Sequence, residues 1–149
     1  MVALTSASPE ETERIAARLA PHLRAGDLVT VSGELGAGKT TFVRGAARAL
    51  GVTAPVTSPT YTVGHRHPAA PDVSHLDLYR FETLTEEDWG DLEGYFDGAV
   101  AFVEWPERGS SFLGEPRAAV RLRLLGAEHR LVEVESREKS LEIALSEPC

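Results

Sequence analysis

The sequence predicts an α/β fold with a central, mainly parallel sheet and a C-terminal antiparallel hairpin. An apolar strand, a Gly-rich loop and a helix follow one another within residues 28–50, two later apolar stretches end at a carboxylate, and two alternating stretches flank a Gly-Ala turn. The first pattern is typical of α/β folds and the last of hairpins. A length of 149 residues fits one domain, over residues 1–149.

The charge and cysteine content narrow the possible classes of protein. The net charge of -8 argues against autonomous nucleic-acid binding, which depends on a basic surface. Cys149 is the single cysteine, so the sequence predicts neither disulfides nor a cysteine metal cluster. Neither a signal peptide nor a membrane span is expected from the apolar runs. We therefore expect a cytoplasmic protein, and if RNA is involved in its function, another protein should do most of the RNA binding.

The first half of the chain predicts a helix and then the strand-loop-helix unit. Ser8 is a good N-cap and Pro9 suits the first helical position, while Pro21 should end or kink that helix near Ala20. The successive segments then predicted are a strand over Leu28–Ser32, a loop over Gly33–Gly38, a helix over Lys39–Leu50 stopped by Gly51, and mostly loop over Val52–Asp72.

The second half alternates short apolar stretches with polar turns. A strand is expected where apolar residues run together or alternate, and a helix where an acidic stretch follows Thr85. The predicted elements are strands over Val73–Leu78 and Ala99–Val103, an acidic helix over Thr85–Leu92 broken at Gly90, a hairpin of Ala118–Leu125 with Arg130–Glu135, and one more strand over Leu141–Leu145.

Residues 33–40, GELGAGKT, match the phosphate-loop pattern G-x-x-x-x-G-K-[ST] in full. The glycines let successive N–H groups point at a phosphate, and the following helix adds its positive dipole end. Lys39 should reach the β- and γ-phosphates, and the Thr40 hydroxyl should ligate Mg²⁺. The fold expected is thus a P-loop NTPase-like sandwich, and the predicted nucleotide-binding residues of the loop are Leu35, Gly36, Ala37, Gly38, Lys39, Thr40 and Thr41.

A phosphate loop of this kind also needs a carboxylate at the end of another strand to hold Mg²⁺. Asp77 in HLDLYR and Glu104 in VEWPER both follow apolar strands. Open α/β sheets bind ligands at the carboxyl ends of their strands, so both positions qualify. Either acid could instead be a solvated residue at a strand end.

Four motifs occur in a fixed order: GELGAGKTTF, SPTYT, HLDLYR and VEWPER. On these motifs the sequence resembles the TsaE family, also called YjeE, the small bacterial ATPases needed for threonylcarbamoyladenosine on tRNA. The resemblance runs from at least Ser8 to Glu135. Two departures are Glu34, where the family usually has Asp, and Gly64–Asp72, which replaces a more strand-like stretch.

The resemblance implies roles for the polar residues of these motifs. Lys39 holds phosphates together with the loop glycines, and Thr40 and Glu104 ligate Mg²⁺. Asp77 lies beside the metal and the γ-phosphate, either as a further ligand or as the group that orients the attacking water. On this basis Lys39, Asp77 and Glu104 form the expected catalytic set, and Thr40, Asp77 and Glu104 the expected metal site.

The resemblance also places three residues near the nucleotide. Thr60 belongs to a switch-like loop, Ser58–Thr62, close to the γ-phosphate. Trp105 lies close to the nucleotide site and could hold the turn that aims Glu104. Arg130 of the C-terminal hairpin lies near the nucleotide.

The function implied by the resemblance is Mg²⁺-dependent ATP hydrolysis within a tRNA-modification complex. The expected partner is a TsaD–TsaB-like heterodimer that transfers the threonylcarbamoyl group, with tRNA contacted only indirectly. Two alternatives remain: a small P-loop kinase, which would need an acceptor pocket and a lid, and a nucleotide-dependent regulator that does not hydrolyse ATP.

Two further groups of residues have ordinary interpretations. His65, His67 and His75 suggest a metal cluster at first sight, but loop histidines are usually only solvated. The aromatic residues Trp89 and Tyr95–Phe96 are expected in the core, with a partner-binding patch as the alternative.

Overall fold

The computed structural model describes residues 1–59 and 62–146. Within these ranges, none of the helices has the length and apolar composition needed to cross a bilayer. The strands and α-helices are β1 (Val2–Ser6), α1 (Pro9–Leu19), β2 (Leu28–Ser32), α2 (Lys39–Ala49), β3 (Gly64–His67), β4 (Asp72–Asp77), α3 (Glu86–Leu92), β5 (Ala99–Glu104), β6 (Ala118–Leu124), β7 (Arg130–Glu135) and α4 (Lys139–Ser146). Short 3₁₀ helices cover Ala20–His22, Glu93–Phe96 and Pro106–Gly109.

The seven strands form one sheet in the order β1-β7-β6-β2-β5-β4-β3. The central strands β6, β2, β5 and β4 pair in parallel. The outer pairs, β1 with β7, β7 with β6 and β3 with β4, are antiparallel. The predicted α/β fold with a parallel centre and a C-terminal hairpin is therefore confirmed.

Strand β5 shows how the sheet separates two apolar cores. All six of its residues are buried, as expected for a central parallel strand covered on both faces. Because side chains alternate along a strand, Val100 and Phe102 enter the larger core with α1, α2 and α4. Ala101 and Val103 enter a smaller core on the opposite face. Trp89, Tyr95 and Phe96 pack, partly buried, against that smaller core.

Several boundaries agree with the sequence prediction. The strand over Leu28–Ser32 is found without a shift, and the following helix begins at Lys39 as predicted. Helix α1 begins at Pro9, with the Ser8 side chain accepting a hydrogen bond from the N–H of Glu11. It ends at Leu19, and Pro21 lies in the short 3₁₀ helix that follows.

The predicted strand over Leu141–Leu145 is wrong, because this segment lies in helix α4. Leu141 and Leu145 are four residues apart, so one helical face carries both into the larger core. The predicted break at Gly90 is also wrong. Helix α3 continues through Gly90 to Leu92, with no neighbouring atom close to that exposed glycine.

Two edge strands differ from the sequence prediction. Gly64–His67 forms β3 within a stretch predicted as mostly loop, and Val2–Ser6 forms β1, which was not predicted. Both strands lie at the edges of the sheet and depend on partners elsewhere. Val2 pairs with Val134 at the far end of the chain, for example.

Helices α1 and α2 pack closely at Gly45, and this contact gives a stability prediction. A Cβ on Gly45 would overlap the backbone of Glu13 in α1, which cannot rotate away. We expect Gly45→Ala to destabilise the protein by about 2 kcal/mol, a typical cost of overpacking. Thermal and urea unfolding would measure this change.

Gly90→Ala is the matched control. Gly90 also lies inside a helix, but a Cβ there has open space around it. Replacing an exposed helical glycine by alanine should stabilise the protein by about 0.5–1 kcal/mol. A Gly45→Ala protein as stable as the unmodified chain would contradict the close packing described here.

Candidate active site

The phosphate loop connects the end of β2 to the start of α2. Gly33 has a φ of +152°, and a Cβ there would lie 2.6 Å from the carbonyl oxygen of Leu122. Gly38, the N-cap of α2, has a φ of +98° in the left-handed region. These two positions require glycine, the first for space and the second for its backbone conformation.

The first turn of α2 is suited to binding an anion. The N-cap residue, Gly38, has no side chain and so makes no capping hydrogen bond to the first N–H groups of the helix. The N–H groups that open a helix have no partner within it. Together with the positive end of the helix dipole, these groups favour a bound phosphate.

Lys39 extends over the loop rather than into solvent. Its Nζ donates hydrogen bonds to the carbonyl oxygens of Gly33, at 2.7 Å, and Glu34, at 2.9 Å. Burial lowers the pKa of Lys39, and the nearby carboxylates Glu104 and Asp77 oppose that decrease. The hydrogen bonds to Gly33 and Glu34 therefore hold the Lys39 side chain against the loop.

The parallel register brings the two predicted carboxylates together. Strands β4 and β5 pair so that Asp77 lies opposite Glu104, and Glu104 is also opposite Val31 near the end of β2. The Thr40 hydroxyl, from the first turn of α2, is 3.2 Å from Oε2 of Glu104. The sheet edge thus places a hydroxyl and two carboxylates around the start of one helix.

Asp77 is half-buried at the end of β4. Its Oδ1 accepts a hydrogen bond from the N–H of Tyr79 at 2.9 Å, and Ser58 Oγ lies 3.5 Å from its Oδ2. Burial raises the pKa of Asp77, the Tyr79 N–H opposes this increase, and Glu104 adds to it. The ionised carboxylate is therefore less favourable here than in water.

Sequence reasoning missed the contact between His75 and Glu104. His75 fell within the predicted strand Val73–Leu78 but was interpreted as a solvated loop histidine, whereas it is fully buried in β4, with Nε2 2.5 Å from Oε2 of Glu104. Its spacing from Asp77 could have indicated which side of the sheet it faces. Residues two apart on a strand share a face, so His75 must face the same side as Asp77.

Trp105 follows β5 with a left-handed backbone, at φ 56° and ψ 51°. Its ring lies beside that of Tyr79, with 5.0 Å between the centroids. The Nζ of Lys39 is 4.8 Å from the centroid of the Trp105 ring. The indole therefore forms one wall of the site and contacts the lysine directly.

Arg130, at the start of β7, contacts the outer side of the phosphate loop. Its Nε donates to the carbonyl oxygen of Ala37 at 3.1 Å, and its Nη2 donates to that of Gly36 at 3.3 Å. These two hydrogen bonds connect the β6–β7 hairpin to the phosphate loop. The Ala37 side chain itself is buried in the larger core.

A cleft of about 460 Å³ joins these groups. Ser58, which belongs to the predicted switch-like loop, and Tyr79, which was not among the predicted site residues, also line it. Thr60, the predicted residue of the switch-like loop, lies outside the described residues. The predicted residues that line the cleft are Leu35, Gly36, Gly38, Lys39, Thr40, Thr41, Asp77, Glu104, Trp105 and Arg130.

The profile of the family described as threonylcarbamoyl adenosine biosynthesis protein TsaE matches residues 6–135. The chain belongs to the TsaE family. The resemblance carried by the four motifs is thereby confirmed, and the match covers the phosphate loop, both carboxylates and the C-terminal hairpin.

Relatives of the TsaE family match most of the chain. A TsaE protein of Streptomyces coelicolor is 46% identical over 109 residues, covering 70% of this chain and 74% of the relative. A TsaE protein of Bacillus subtilis is 39% identical over 125 residues, covering 83% and 78%. The crystal structure of YdiB from Bacillus subtilis superposes with a TM-score of 0.78 at 30% identity, covering 96% of this chain and 90% of YdiB.

The raised pKa of Asp77 gives a prediction about stability and pH. A carboxyl group whose pKa is higher in the folded state contributes stability at low pH, and this contribution is lost as the pH rises through the folded pKa. Asp77→Asn removes the titration and retains an oxygen for the Tyr79 N–H. We therefore expect a higher urea midpoint for Asp77→Asn than for the unmodified protein at neutral pH.

The difference in urea midpoint between Asp77→Asn and the unmodified protein should vanish at about pH 3, where Asp77 is protonated in both the folded and unfolded states. Asp72→Asn is the control from the other end of β4. The hydrogen bond from Arg66 lowers the pKa of Asp72, whereas burial raises that of Asp77. Asp72→Asn should therefore lower the urea midpoint at neutral pH. A lower midpoint for Asp77→Asn at neutral pH would contradict the stated direction.

Proposed function

We propose that this chain is a Mg²⁺-dependent ATP-binding and ATP-hydrolysing subunit required to form threonylcarbamoyladenosine in tRNAs that read codons beginning with adenine. It acts with a TsaD–TsaB-like heterodimer that carries out the transfer. Membership of the TsaE family supports the pathway. The observation that carries the proposed activity is the single cleft that contains the phosphate loop, Thr40, Asp77 and Glu104.

The triphosphate of ATP fits the electrostatics of this cleft. The N–H groups at the start of α2 and the Lys39 ammonium group supply positive charge where the phosphates would lie. Lys39 would exchange its hydrogen bonds to the Gly33 and Glu34 carbonyls for phosphate oxygens. Adenine rather than guanine is favoured because the sequence contains no asparagine, so it lacks the N-K-x-D motif that reads guanine.

The oxygen donors of the site fit Mg²⁺. Thr40 offers a hydroxyl and Glu104 a carboxylate, with Asp77 adjacent, and hard oxygen ligands of this kind suit Mg²⁺ when phosphates complete its coordination. Mg²⁺ held by these residues would supply charge neutralisation for the phosphate oxygens. Thr40 and Glu104 are therefore proposed as its protein ligands.

Water is the proposed acceptor of the phosphoryl group. Asp77 is proposed to orient this water and accept its proton, and a carboxyl group whose pKa is raised by burial is a better base at neutral pH. The segment that a kinase would need as a lid is instead a hairpin of the central sheet followed by α4, whose leucines pack in the larger core. This arrangement favours hydrolysis over transfer to a second small substrate.

Substitutions in the cleft test this assignment. We expect Lys39→Ala, Asp77→Asn and Glu104→Gln each to lower phosphate release, measured with the heterodimer present, by at least about tenfold, because each removes a group that acts on the phosphates, the metal or the water. Chelation of Mg²⁺ should abolish the activity of the unmodified protein.

Asp72→Asn is again the matched control, since it removes a carboxylate from the same strand at the end away from the cleft. Its phosphate release should stay close to that of the unmodified protein. If both Asp77→Asn and Glu104→Gln hydrolysed ATP at the unmodified rate, the proposed site would be wrong.

The partner proposal gives a separate prediction. A chain with a net charge of -8 should bind tRNA weakly by itself. We expect a stable complex with the TsaD–TsaB-like heterodimer, measured by size-exclusion chromatography, and faster ATP turnover within that complex. Absence of both complex formation and stimulation would refute this part of the proposal.

The same assay separates the alternatives. Phosphate released to water supports an ATPase, whereas phosphate transferred to a small acceptor supports a kinase. Tight Mg²⁺-dependent ATP binding with neither product, even in the complex, would indicate a regulator that does not hydrolyse ATP.

A further inference from the structure

Among the described residues, His75 makes the closest polar contact with the Glu104 side chain. The register of β4 and β5 places His75 opposite Phe102, two residues before Glu104 on the same face of the sheet. The histidine is fully buried and Glu104 is 3% exposed. Their contact, 2.5 Å between Nε2 and Oε2, is therefore shielded from solvent.

Two donors converge on one oxygen of Glu104. Both the Thr40 hydroxyl and His75 Nε2 contact Oε2. A carboxylate accepts hydrogen bonds, so Nε2 carries the proton when Glu104 is ionised. Within residues 1–59 and 62–146, the side-chain hydrogen bonds to Glu104 all reach Oε2, so none of the described residues occupies Oε1.

Packing alone does not explain a histidine at this position. The other ring nitrogen, Nδ1, is buried and has no hydrogen-bond partner among the described residues. A buried polar atom without a partner costs stability, and an apolar side chain would avoid that cost. Among the described residues, the contact between Nε2 and Glu104 is the polar interaction that offsets this cost.

We propose that His75 is a positioning residue for the metal site, which holds Glu104 in one rotamer with Oε1 presented to Mg²⁺. This inference rests on the proposed function, because it assumes that Glu104 ligates the metal. A glutamate side chain has three rotatable bonds, and fixing it before the ligand arrives reduces the ordering cost of metal binding. Partners that orient a metal ligand typically change metal affinity by about 10–100-fold.

The experiment compares nucleotide affinity with and without Mg²⁺. The ligand is adenylyl imidodiphosphate, a non-hydrolysable ATP analogue, and Kd is measured by calorimetry in MgCl₂ and in EDTA. The ratio of the two Kd values gives the Mg²⁺ enhancement. We expect His75→Leu to lower this enhancement at least about tenfold, while Kd in EDTA changes much less.

Two further variants complete the design. His75→Gln keeps a donor nitrogen at a reach similar to Nε2, so most of the enhancement should return. His67→Leu removes another buried histidine, which lies on β3 opposite Val73 and makes no contact with Glu104. Its enhancement should equal that of the unmodified protein.

The outcomes distinguish this inference from the proposed function. No Mg²⁺ enhancement in the unmodified protein would overturn the proposed metal site itself. A normal enhancement in both the unmodified protein and a folded His75→Leu would overturn the positioning role alone. If circular dichroism shows that His75→Leu is unfolded, His75→Asn replaces it, because its shorter amide cannot reach Oε2. Equal enhancements in His75→Asn and His75→Gln would then overturn the role.

Discussion

The site depends on keeping the Glu104 carboxylate buried at the end of a central strand. Moving a charge out of water costs several kcal/mol unless polar partners compensate for the lost hydration. Strand β5 is buried along its whole length, so its last residue has little access to solvent. The compensation comes from Thr40 on α2 and His75 on β4. One carboxylate therefore couples the phosphate loop to the sheet.

The other charged groups of the cleft are not fully compensated. Burial lowers the pKa of Lys39 and raises that of Asp77, so for each residue burial disfavours the charged form. The proposed ligand, an ATP triphosphate with Mg²⁺, would bring charges of both signs into the same volume. Burial of these two charged groups thus lowers the stability of the free protein, and such a cost is common at functional sites.

The central part of the fold could be predicted because the residues that determine it are neighbours in the sequence. The strand at Leu28–Ser32, the loop and the helix from Lys39 follow one another, so the spacing of apolar and glycine residues determines them. The edge strands β1 and β3 could not be predicted in this way. Their short segments become strands through pairing, and Val2 finds its partner at Val134.

In the candidate site, too, features that depend on short sequence motifs could be predicted, whereas contacts between distant segments could not. The motifs and the family resemblance predicted most of the residues that line the cleft, and its two carboxylates lie together because the carboxyl ends of parallel strands meet at one edge. The partner of Glu104 was not predicted. It depends on the diagonal relation between His75 and Glu104 across two strands, which follows only from their register.

Trp105 shows how local strain can serve this arrangement. Its left-handed backbone costs a non-glycine residue about 1–2 kcal/mol, and the next residue, Pro106, further restricts its conformation. The ring contacts with Tyr79 and Lys39 offset that cost. The turn can then leave the sheet directly after Glu104, so the carboxylate stays at the edge where Thr40 and Asp77 lie. Glycine would relax the backbone but would lose the wall of the cleft, which gives a physical reason for tryptophan at this position.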